Sequence, residues 1–102
     1  MKIDILVIGR HEEILQTVVR LIQKNEQWSA KAALSDEEAI ALFDSNPFDI
    51  VLLCGGIEEN SEAGLRAHFN DKNSSVIIIQ HYGGGSGLLS NEILQALEQR
   101  KT

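Results

Sequence analysis

Asp49-Ile50-Val51-Leu52-Leu53-Cys54 decides the fold of this chain. An unbroken apolar run, opened by an acid and stopped by Gly55-Gly56, reads as a short strand covered on both faces. Such strands belong to parallel sheets with helices on either side, and this one delivers a thiol, Cys54, to the carboxyl edge of its sheet.

Two further stretches match it. Ile3 to Ile8 is nearly continuous and rich in β-branched residues, and Gly9-Arg10 ends it. Val76-Ile77-Ile78-Ile79 is the most strand-like tetrapeptide in the chain. Residues 28–34 alternate loosely, Trp28, Ala30 and Ala32 against Ser29, Lys31 and Ala33, which gives a weaker strand. Between the strands the period changes to that of helices. Ile14, Leu15, Val18, Val19, Leu21 and Ile22 form one stripe within residues 11–27, with Trp28 expected to pack where that helix meets the next strand. Ser35-Asp36-Glu37-Glu38 is a capping box ahead of Ala39, Ile40, Leu42 and Phe43, and Asn46-Pro47 stops that helix. Residues 61–69 make a short, weak helix burdened by Gly64, and residues 70–75 a polar turn. Gly83-Gly84-Gly85-Ser86-Gly87 reads as a loop, after which Ser90 caps a last helix carrying Ile93, Leu94 and Leu97, with a Leu89–Leu94 staple. Strands alternating with helices predict an α/β three-layer sandwich around a parallel sheet with right-handed crossovers.

At 102 residues the chain is expected to form one domain, residues 1–102. A net charge of −6 without a basic block argues against nucleic acid as a partner. The apolar runs are far too short to span a membrane, and Asp4 falls where a signal peptide would be apolar. One cysteine excludes an internal disulfide. The expected location is cytoplasmic.

Three of these stretches together resemble the response-regulator receiver domain. Ile5-Leu6-Val7-Ile8 looks like its first strand, Pro47 to Leu53 like the approach to its phosphorylation site, and Ile78-Ile79-Gln80-His81-Tyr82-Gly83 like the end of its fourth strand. The resemblance implies a flavodoxin-like, four-stranded sheet of order 2-1-3-4. It also implies that the family's fourth helix and fifth strand are missing, with only residues 83–88 in their place. The family's chemistry does not follow. The acid pair that would hold Mg²⁺ is Gly9 and Arg10, the phosphoacceptor aspartate is Cys54, the hydroxyl residue ending the fourth strand is Gln80, and the family's lysine has no counterpart.

The carboxyl edge is where ligands bind in such sheets. The residues expected there are Arg10, His11, Cys54, Gln80 and His81, with Glu12 nearby. His11, Cys54 and His81 are of the right type for Zn²⁺, but their spacing carries no metal signature, so no metal or other cofactor is expected. Cys54 is either a nucleophile activated by Arg10 or a buried inert thiol, and the second reading is favoured because no general base is evident. Gly83, Gly84, Gly85, Ser86 and Gly87 form a candidate anion loop, though they match no phosphate-loop motif.

The function expected from the sequence is a non-catalytic regulatory or protein-interaction module that is not phosphorylated. The alternatives are a small-molecule or anion-binding domain using the glycine loop, and more remotely a cysteine enzyme. Loss of a fifth strand would leave Val76, Ile77, Ile78 and Ile79 on an unprotected sheet edge, so the expected partner is a second copy, as a homodimer, or another protein.

Overall fold

The computed structural model describes residues 3–81 and 86–100, with the backbone alone for residues 86–90 and 99–100. The elements run β1 (Ile3–Ile8), α1 (Glu12–Gln23), β2 (Trp28–Ala33), α2 (Asp36–Ser45), β3 (Ile50–Leu53), α3 (Glu59–Lys72), β4 (Ile77–Gln80) and α4 (Ser86–Arg100). All strand pairs are parallel and the sheet order is β2-β1-β3-β4, as expected.

Strand alternation sorts the core into two halves. Ile5 and Val7 of β1 and Ile50 and Leu52 of β3 meet Leu15, Val18 and Ile22 of α1 and Ile93 of α4. Leu6, Ile8, Val51 and Leu53 point the other way, onto Ala39 and Phe43 of α2 and Leu65 and Phe69 of α3. The inner residues of β1 and β3 have no exposed surface, which is why these strands are apolar without alternation. β2 sits at the rim and does alternate: Trp28 and Ala30 face α1, Ala33 faces α2, and Lys31 is exposed. Trp28 is buried in the half of the core that α1 covers, as expected.

Local chemistry sets the element ends. The Ser35 hydroxyl accepts the Glu38 amide at 3.1 Å, and the Glu38 carboxylate accepts the Leu34 amide at 2.8 Å, closing the capping box. Asn46 is extended, as a residue before proline must be, and α2 stops there. The Asp49 carboxylate accepts the Asp4 amide at 3.0 Å, which fixes where β3 meets β1.

Three boundaries differ from the sequence reading. α1 ends at Gln23 rather than near residue 27, because Asn25 turns the chain: its carboxamide accepts the Gln27 amide and its carbonyl the Trp28 amide. α3 is longer than expected and consumes half of the supposed polar turn. Leu65 and Phe69, one turn apart, both bury on the core, and Glu62 pairs with Arg66 at 3.0 Å. Gly64 lies where an added Cβ would meet nothing, so it weakens the helix without shaping it. α4 begins at Ser86, not beyond Ser90. Ser86 and Gly87 are therefore helical rather than loop, Ser90 lies inside the helix, and Leu94, 52% exposed, is no staple to a cap there.

Candidate functional site

The carboxyl ends of β1 and β3 approach so closely that a Cβ on Gly9 would come within 2.7 Å of Leu15 Cδ2 and 3.3 Å of Cys54 Cβ. Glycine at this position lets the loop after β1, the first turns of α1 and the end of β3 close on one another. Cys54 follows β3 directly; its amide is accepted by the Ile8 carbonyl at 2.8 Å, which extends the β1–β3 ladder past the strand. Its side chain belongs to the apolar core with Ile5, Val7, Leu15 and Ile93. Burial pushes the thiol up to about 11, and the negative charge of Glu92 adds to the shift. At neutral pH the group is a thiol, the opposite of what nucleophilic catalysis needs.

Arg10 points elsewhere. Its guanidinium lies 2.6 Å from the Asp36 carboxylate and 3.3 Å from the Leu34 carbonyl, so it binds the first turn of α2 and does not serve Cys54. The hydrogen bond from Arg10 holds the Asp36 carboxyl below the usual carboxylate range, with a further bond from Ser61 of α3. One cation thus links the loop after β1 to the first turn of α2.

The other candidate residues divide by depth. His11 occupies the N-cap position of α1 without a side-chain cap bond and is exposed. His81 is 5% exposed, its amide accepted by the Leu53 carbonyl at 2.8 Å. His81 Nδ1 lies 3.0 Å from the Glu92 carboxylate of α4, an acceptor that requires the proton on that nitrogen. Gln80 donates its side-chain amide to the Leu53 carbonyl at 3.3 Å. Among the described residues, no three of histidine, cysteine, aspartate and glutamate are grouped to hold a metal ion, so His11, Cys54 and His81 do not converge as a Zn²⁺ site.

Of the candidate anion loop, Gly83, Gly84 and Gly85 lie outside the described residues, as does Tyr82. Val76, Ile77, Ile78 and Ile79 lie at the sheet rim, with Val76 just ahead of β4 and buried. Sequence reasoning overlooked Asp36, Ser61 and Glu92. Asp36 was legible only as part of a helix cap, and nothing near Glu92 in the sequence signals its pairing with His81. A separate cleft of ≈ 390 Å³ opens at the amino edge, bounded by Phe43, Phe48 and Lys72.

No family model matches the chain, and no curated protein matches it. Its likeness is to solved structures. NtrX from Brucella abortus, solved in complex with ATP, superposes with a TM-score of 0.82 at 17% identity, over 99% of this chain and 28% of that one. This chain thus spans little more than a quarter of NtrX. A CheY-like response regulator receiver domain protein from Methanospirillum hungatei JF-1 superposes at 0.83 with 13% identity, over 99% of this chain and 98% of that one. A response regulator receiver domain protein from Clostridium thermocellum gives 0.77 at 17% identity, with 97% of each chain covered. With the strand order β2-β1-β3-β4 and helices on both faces, the chain has the flavodoxin-like fold of response-regulator receiver domains.

Proposed function

We propose that this chain is a receiver-like signalling module, one domain over residues 1–102, that works in the cytoplasm by binding protein and accepts no phosphoryl group. The observation that supports this reading is the closed carboxyl edge. Cys54, at the family's acceptor position, is core rather than cavity, and Gly9 leaves no room for a metal-binding side chain. Arg10, at the second acidic position, is a cation already paired with Asp36. A hard divalent cation needs several oxygen ligands, and these positions offer none. The raised thiol likewise speaks against a cysteine enzyme. The partner is a protein, a second copy of the chain foremost, and not a nucleic acid: the net charge is −6. No described helix is long and apolar enough to cross a membrane.

The test is incubation with acetyl phosphate and Mg²⁺ followed by intact-mass measurement. No Mg²⁺-dependent adduct of phosphate mass is expected. An adduct mapped to any aspartate would overturn the reading.

A further inference from the structure

The two rims of the sheet are unlike. β2 shows an exposed Lys31 to solvent, the usual guard against a strand from another molecule. β4 has none: Ile77, Ile78, Ile79 and Gln80 are all half-buried, and the strand carries no charge and no proline. The Gln80 side chain is turned back onto the Leu53 carbonyl.

The hydrogen bonds show which backbone groups are left open among the described residues. The Ile77 amide is accepted by Asp49 at 3.1 Å and the His81 amide by Leu53 at 2.8 Å. Backbone groups alternate along a strand, so residues 77, 79 and 81 address β3, while the N–H and C=O of Ile78 and of Gln80 point away from the sheet. The Val76 amide is already accepted by Asn73 at 3.1 Å in the turn before the strand.

The geometry points to a second copy of this chain as the occupant of that rim, paired antiparallel about a two-fold axis through Ile79. In this register Ile78 exchanges both of its hydrogen bonds with the partner's Gln80, and Gln80 does the same with the partner's Ile78, so all four outward groups on each side are used. Ile79 faces the partner's Ile79 as the close, non-hydrogen-bonded pair. A register centred on Ile78 satisfies that residue alone and sets Gln80 against the partner's Val76, whose amide is taken. Electrostatics favour the same seam. Each chain carries −6, so two copies repel least where both are uncharged, and β4 is uncharged throughout. The two sheets then become one, closed by an isologous contact. The inference rests on reading the chain as a protein-binding module, and it names the partner and the register.

Sedimentation at micromolar concentration and above tests it, with single thiols placed in a Cys54→Ser background. The wild type is expected to sediment as a dimer. Ile79→Cys is expected to oxidise to a covalent dimer, since facing Cα atoms about 4.5 Å apart lie within disulfide reach. Ile78→Cys, which faces Gln80, is expected not to. Ile78→Pro removes an outward N–H that makes no bond among the described residues, so it is expected to sediment as a monomer with a melting temperature close to wild type. A wild type that remains monomeric overturns the inference. So does covalent dimer formation by Ile78→Cys in place of Ile79→Cys, or an undiminished dimer in Ile78→Pro. A monomer that also takes no phosphate from acetyl phosphate removes the dimer and leaves the proposed function standing. A dimer that is phosphorylated does the reverse.

Discussion

Arg10 and Asp36 meet at 2.6 Å across the carboxyl edge, joining the loop after β1 to the first turn of α2. The pair stands where the receiver resemblance would put an acid and its metal. The pair ties the loop after β1 to α2 at that edge. Both side chains keep some solvent access, so the pair contributes modestly, about 0.5–1 kcal/mol in a double-mutant cycle of Arg10→Ala and Asp36→Asn.

Its pH dependence has a definite sign. The Asp36 carboxyl is held low in the folded chain by Arg10, so its contribution is complete above the ordinary aspartate range, near ~3.9. It is lost as the pH falls through the lower, folded value. Denaturant titrations of wild type and Asp36→Asn should therefore differ at neutral pH and converge below about pH 4. A difference that grows on acidification would contradict the pairing.

The Cys54 thiol titrates in the opposite sense. Its value is raised to about 11, so the folded state favours the neutral form. That preference costs nothing below the ordinary thiol range of ~8.5, and above it the wild type loses stability relative to Cys54→Ser, at up to about 1.4 kcal/mol per pH unit, until about 11. At neutral pH the serine variant itself should be less stable by about 1 kcal/mol. Native Cys54 should also react with a thiol reagent at pH 8 far more slowly than in denaturant. Equal rates would place the sulfur at the surface.

Gly9→Ala should destabilise the fold by about 1–3 kcal/mol, because Leu15 is buried and its Cδ2 must leave the space the new carbon takes. Leu15→Ala in the same chain should recover part of the Gly9→Ala penalty, a non-additivity that chemical denaturation can measure.

Gly64→Ala should act the other way. The site is open, the residue is helical, and its φ is not positive. Replacing it should stabilise the chain by about 0.5–1 kcal/mol, read as a rise in melting temperature.

The layout of the sheet was legible because residues 5–8 of β1 and all of β3 are buried on both faces, so no polar residue blurs their pattern. The capping box at Ser35 and the stop at Asn46-Pro47 were legible because both act within a few residues. What escaped the sequence was long-range or cumulative. The pairing of His81 with Glu92 depends on α4 lying over the end of β4. The length of α3 depends on Phe69 reaching the core, which outweighs Gly64 and the polar residues that follow. The start of α4 at Ser86 goes against the glycine content of its first turn. At the candidate site, Arg10 was expected at the carboxyl edge, with activation of Cys54 only as the less favoured reading; the negative first turn of α2 attracts it.

The close approach at Gly9 also sets the order in which acids can be introduced at this edge. An aspartate at Cys54 would be a buried carboxylate without a cation, and an acid at Gly9 would collide with Leu15. Each of these substitutions taken singly thus lowers stability. An acidic site could therefore be built at this edge only by changing several positions together, with Leu15 repacked to make room.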